Sequence, residues 1–102
     1  MMEERIFSKI FETKLQALII EQLLEHNDEF FTISQMARNL GVSSSAVSSR
    51  LPKINDLGLI QVLPAKRAKI FKLNEDSQLA KILKNIYKKL KRLDLKEKER
   101  ED

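Results

Sequence analysis

Cysteine and tryptophan are absent from this chain of 102 residues, histidine occurs once, and glycine and proline occur twice each. Without cysteine there is no disulfide, no thiolate nucleophile and no sulfur ligand for zinc, which suits a reducing compartment. The lone His26 has no companion from which to build a histidine metal site, so no cofactor is expected. So few Gly and Pro argue against long linkers or low-complexity segments, and no repeat recurs at solenoid spacing. The longest uncharged apolar run, LQALII at 15–20, falls far short of the about 20 residues that cross a bilayer. The opening MMEERIFSKIFETK is charged where a signal peptide would be apolar. A cytoplasmic protein with no membrane partner is expected. Enzymatic chemistry lacks a carrier too: no paired carboxylates sit among apolar positions, no glycine loop could cradle a phosphate, and His26 stands alone.

What is present is aliphatic and charged, at 42% hydrophobic and 33% charged residues. A chain of this length supports one domain, since two halves would each be too small to bury a useful core. With five Phe and one Tyr as its aromatics, burial falls to Leu, Ile, Val and Met, which favours a helix-rich core. The charge is divided unevenly. Residues 1–43 carry 4 basic and 7 acidic side chains, residues 44–93 carry 12 and 3, and residues 94–102 carry 3 and 5. A basic second half beside an acidic first half suggests a surface for an anion, with nucleic acid the first candidate. Lys-rich helices that are merely soluble would look the same.

Hydrophobic spacing orders the chain. Thr13 reads as an N-cap with Gln16 at N3, and Leu15, Leu18, Ile19 and Leu23 recur at helical spacing to about Glu25. Ahead of it, Ile6, Phe7, Ile10 and Phe11 form a second apolar stripe, either a separate turn or a continuation. An extended Phe30-Phe31 precedes Thr32, which can cap a helix with Ile33, Met36, Ala37 and Leu40 inside. Gly41 then sits where a helix ends on a left-handed residue. Ser43 can cap the next helix, Ser44 to about Leu57, whose Val47, Leu51, Ile54 and Leu57 share one side while Ser45, Ser48, Ser49 and Lys53 share the other. Gly58 ends it. Leu59–Leu63 and Lys69–Leu73 read as two strands joined by a turn that carries Lys66, Arg67 and Lys69 at its tip. Asn74 is the expected cap of the last helix, with Glu75 and Asp76 in its first turn. Leu79, Leu83, Ile86, Leu90 and Leu93 then form a heptad seam, widened by Ile82 and Tyr87. Its partner is either the helical region of residues 3–25 or the same helix of a second chain. The homodimer is preferred, because the stripe is long for a small domain, and Ile6 and Ile10 would join that interface.

This order, together with TISQMARNLGVSSSAVSSRLPKINDLGLIQV, resembles the winged helix-turn-helix transcription regulators of the MarR and ArsR type found in archaea and bacteria. Ala37, Leu40, Gly41, Val42, Ser43, Val47, Ser48, Leu51, Leu57, Gly58, Leu59 and Ile60 stand where that pattern places them, and the likeness covers roughly residues 12–75. It implies a single mainly α domain over 1–102 with a small β-hairpin. The helix-turn-helix would lie at about 32–57, the wing at about 59–73 and a dimerisation helix at about 75–95. It further implies double-stranded DNA as partner, with the helix from Ser44 in the major groove, reached by Ser44, Ser45, Ser48, Ser49 and Lys53. The wing, with Lys66, Arg67 and Lys69, would lie on the neighbouring minor groove or phosphates. Thr32 and Ser34 would grip the backbone, and Arg50 would fold back to a phosphate or an acidic partner.

Two departures bear on specificity. Pro52 interrupts the recognition helix and removes the bond to the carbonyl of Ser48. The outer face also lacks the Arg, Asn or Gln that form bidentate base contacts, so recognition leans on shape and phosphates. Metal-sensing members of the family use Cys and His clusters that this chain does not have. Tyr87 and the Phe7/Phe11 stripe could line an effector cleft at a dimer interface or be plain core. Two alternatives to a regulator stay open: a nucleoid-associated protein that coats DNA without sequence preference, and a protein-interaction module that uses the winged helix as a scaffold. Zero Cys, scarce Gly and abundant Lys and Glu lean towards a heat-adapted archaeal chain.

Overall fold

The computed structural model describes residues 5–65 and 68–93; Lys66 and Arg67 of the expected wing tip, and the tail from residue 94, lie outside the described residues. The order is α1 (Ile6–Ile10), α2 (Lys14–Glu25), β1 (Phe31–Thr32), α3 (Ile33–Leu40), α4 (Ser44–Asp56), β2 (Ile60–Pro64), β3 (Lys69–Leu73) and α5 (Gln78–Arg92). This is the mainly helical winged helix-turn-helix architecture with a C-terminal helix.

Local chemistry sets the first helix boundaries. Thr13, Thr32 and Ser43 each accept, through the side-chain hydroxyl, the amide of the residue three positions on, at 3.1 Å in every case. Each bond satisfies one of the orphan donors of a helix start. The stripe at Ile6–Phe11 is a separate short helix. At the end of α3, Gly41 takes φ +69° and the amide of Val42 reaches the carbonyl of Ala37 at 3.0 Å, which satisfies a terminal acceptor. Gly58, at φ +79°, turns the chain out of α4 in the same left-handed region. α4 runs on through Pro52. Both Pro52 and Ser48 are exposed, so the carbonyl that loses its helical donor is at the solvent side.

The sheet has three strands in the order β1-β3-β2, all antiparallel, where the sequence suggested a two-stranded hairpin. Ile60 faces Leu73 and Val62 faces Phe71 across the hairpin, and Phe31 pairs with Phe71 on the other edge of β3. The two phenyl rings pack with centroids 6.1 Å apart. Phe31 therefore covers an edge that would otherwise expose unpaired amides. Fully buried Ile19, Leu23, Met36, Val47, Ile54, Leu59, Phe71 and Leu73 form one core between α2, α3, α4 and the sheet.

The start of α5 differs from expectation. Its cap is Ser77, whose hydroxyl accepts the amide of Ala80 at 3.1 Å. Asn74 is drawn elsewhere: its Oδ1 accepts the amide of Asp76 at 3.2 Å and its Nδ2 donates to the carbonyl of Gly58 at 3.4 Å. Glu75 and Asp76 thus precede the helix instead of occupying its first turn. The leucine seam is also split between two faces. Leu79, Ala80, Leu83 and Tyr87 pack on the chain's own core, while Ile82, Ile86, Leu90 and Leu93 are exposed. Ile10 and Leu83, both expected at a dimer interface, are 7% exposed and committed to the intrachain core.

Candidate nucleic-acid interface

The helix-turn-helix brings two helix N-termini to one side of the molecule. Thr32 and Gln35 form a reciprocal box, in which Gln35 Oε1 accepts the amide of Thr32 at 3.0 Å, fixing the start of α3. A shallow groove joins that start to the start of α4 and to the hairpin, lined by Thr32, Ile33, Ser34, Ser44, Ala68 and Lys69. Four of the expected contact residues, Thr32, Ser34, Ser44 and Lys69, therefore converge there. Hydroxyls, helix-terminal amides and one exposed ammonium in a single groove form an arrangement suited to phosphate oxygens.

The outer face of α4 carries Ser45, Ser48 and Ser49, all exposed. The Ser49 hydroxyl donates to the carbonyl of Ala46 at 3.0 Å, and the Ser43 and Ser45 hydroxyls lie 3.5 Å apart. The two cations further along the helix do not join this face. Arg50 donates to Glu12 Oε1 at 3.2 Å and lies 3.4 Å from Gln16 Oε1, so it folds back on an acidic partner. Lys53 Nζ sits 3.1 and 3.2 Å from the two Glu12 oxygens. Lys53, expected to reach outward, is turned to the α1–α2 junction as well. The hydrogen bond from Lys53, aided by the Lys53 and Arg50 charges, holds the Glu12 carboxyl below the usual carboxylate range despite some opposing desolvation.

Glu12 and Gln16, which hold these two cations, are the residues that sequence reasoning missed. Gln16 reads as an N3 residue, yet it is fully buried, and its Nε2 donates to the Ile10 carbonyl at 2.8 Å. Its remaining oxygen thereby faces Arg50. The only available hint was the place of Glu12 immediately before the Thr13 cap, which says nothing about a helix 38 residues later.

Between α2 and α5 lies an open groove of about 790 Å³ lined by Phe11, Leu18, Glu21, Ile86, Tyr87 and Leu90 among others. The Tyr87 hydroxyl donates to Glu25, and Lys91 Nζ lies 3.2 and 3.4 Å from the Glu25 oxygens. Burial first, then the bond to Glu25, pushes the Tyr87 hydroxyl well up, while Tyr87 and Lys91 hold the Glu25 carboxyl down. Ile6 and Phe7 of α1 are exposed by 70% and 71%, and the outer stripe of α5 is exposed as well. Phe11 lines the groove with Tyr87, whereas Phe7 does not. Among the described residues no three His, Asp or Glu side chains gather as a metal site, and no helix is long and apolar enough to cross a membrane.

The sequence of residues 15–72 matches the HTH domain family, and the chain belongs to it. No curated protein sequence matches. Several solved structures share the fold. A possible transcriptional regulator from Methanosarcina mazei is 19% identical, with a TM-score of 0.67 over 95% of this chain and 86% of its own. HlyU from Vibrio cholerae is 19% identical, with a TM-score of 0.67 over 83% and 86%. NolR from Sinorhizobium fredii is 18% identical, with a TM-score of 0.65 over 83% and 79%. These likenesses establish the winged-helix fold.

Proposed function

We propose that this chain is a non-enzymatic, DNA-binding transcription regulator that works as a homodimer on a site with two-fold symmetry. α4 enters the major groove with Ser44, Ser45, Ser48 and Ser49 foremost, and the wing, with Lys66, Arg67 and Lys69, rests on the adjacent backbone or minor groove. The observation that carries this reading is the groove that unites the N-termini of α3 and α4 with Lys69. The HTH domain match supports it, as do neighbours of similar fold described as transcriptional regulators, one of them the repressor BigR from Xylella fastidiosa. Dimerisation rests on the exposed stripe of Ile82, Ile86, Leu90 and Leu93 with Ile6 and Phe7.

The test is fluorescence anisotropy on labelled duplex DNA at several salt concentrations, with light scattering for mass, for the wild type and for a variant with Lys66, Arg67 and Lys69 changed to Ala. A dimer that binds, weakens steeply with salt and loses affinity in the variant supports the reading. Absence of binding at low salt overturns it in favour of a protein-interaction module. Equal affinity for genomic upstream and scrambled duplexes would make it a coating protein instead.

A further inference from the structure

The Glu12 carboxylate gathers two cations of α4. Its two oxygens meet Lys53 at 3.1 and 3.2 Å, and one of them accepts from Arg50 at 3.2 Å. Two cations around one pair of anionic oxygens is how basic side chains hold a backbone phosphate. The Arg50 seat is also built from beneath, because buried Gln16 is tied through its amide nitrogen to Ile10 and turns its carbonyl oxygen to the guanidinium at 3.4 Å. Lys53 and Glu12 are half exposed, at 50% and 42%, so the outer part of the clasp is accessible to a competing anion. An exposed pair of this kind adds little to folding stability. Its effect on an incoming polyanion is larger, since it removes two cations from the recognition helix and leaves a face of hydroxyls.

We infer that Glu12 is a specificity-determining residue of the DNA interface: it holds Lys53 and Arg50 as an internal stand-in for phosphate and so suppresses binding to non-cognate duplex. This rests on the DNA-binding reading above. Lys53 is the exchangeable partner, and Arg50, seated on Gln16, is the fixed one. Sequence-independent affinity is supplied by phosphate neutralisation, so sequestering cations lowers it selectively while hydroxyl contacts at a fitting site are untouched.

The experiment compares wild type, Glu12→Gln, Lys53→Gln and the double variant on a random-sequence duplex, by anisotropy across a salt series, with melting by circular dichroism alongside. Glu12→Gln is expected to bind about three- to tenfold more tightly at low salt, with the slope of log affinity against log salt steeper by about 0.9 for each cation released to a phosphate. The gain should vanish in the double variant. Lys53→Gln alone should change non-cognate affinity less than about twofold, because Lys53 is already occupied. If Glu12→Gln does not fold, this last result still decides, since a Lys53 that already contacts phosphate would lose about 0.9 from the slope. Wild-type binding with an unchanged or weaker folded Glu12→Gln overturns the inference alone. Failure of every protein to bind at low salt overturns both it and the DNA-binding reading.

Discussion

α4 and α5 are the two longest helices, of 13 and 15 residues, and they treat their outer faces in opposite ways. α4 has its apolar residues inside, its hydroxyls outside and its two cations turned sideways onto Glu12. α5 sends Leu79, Ala80, Leu83 and Tyr87 into the core and leaves Ile82, Ile86, Leu90 and Leu93 uncovered beside a basic last turn. One helix face is complete without apolar cover and open to a polar ligand. The other leaves an apolar stripe exposed among the described residues.

The sharpest way to break this contrast is the double change Ile86→Asp and Leu90→Asp. If the outer face of α5 closes a dimer, each buried anchor is worth about 2 kcal/mol, so dissociation should rise roughly a thousandfold and light scattering should report monomer. A variant that keeps the mass of the wild type would remove α5 from the interface. Next in size is Ile54→Ala on the buried side of α4, which leaves a cavity at a fully buried site and should cost about 2–5 kcal/mol in urea unfolding. Leu90→Ala, at an exposed site, should change the stability of the isolated monomer by less than about 1 kcal/mol, so similar losses for both would contradict the asymmetry.

A smaller effect is expected at the groove. Lys69→Gln should weaken duplex binding uniformly across sequences and flatten the salt slope by about 0.9, as measured by anisotropy; an unchanged slope would take Lys69 off the phosphates. The smallest effect lies at the α2–α5 contact. The Glu25 carboxyl is held below its ordinary range by Tyr87 and Lys91, so its contribution is complete above that ordinary value and is lost as pH falls through the lowered one. The melting temperature should therefore drop on acidification below about pH 4.3, and less so in Glu25→Gln. Identical acid limbs for the two proteins would show that this carboxylate contributes nothing.

Much of the helix-turn-helix was legible because its signals are short-range. A hydroxyl three residues ahead of an amide at Thr13, Thr32 and Ser43, and a glycine where the chain must turn left-handed at Gly41, need no knowledge of distant residues. The cap of α5 shows where this logic stops. Asn74 and Ser77 can both cap, and the choice falls to Ser77 because Asn74 also bonds Gly58 and Leu59 across the sheet end. The candidate site divides in the same way. Ser45, Ser48 and Ser49 could be placed outward by helical period alone, whereas Lys53, given the same outward place by period, is turned by an acidic residue 41 positions earlier.

By itself, then, the sequence determined the helix periods, the caps at Thr13, Thr32 and Ser43, the hairpin and the single core, since these follow from hydrogen bonds and apolar spacing over a few residues. Only the tertiary structure decided that Phe31 adds a third strand, that Gln16 is buried under Arg50, that Glu12 clasps two cations of α4, and which half of the α5 seam stays exposed. Each of these depends on which surfaces meet once the helices have packed, and a periodic pattern names a face without naming what the face will touch.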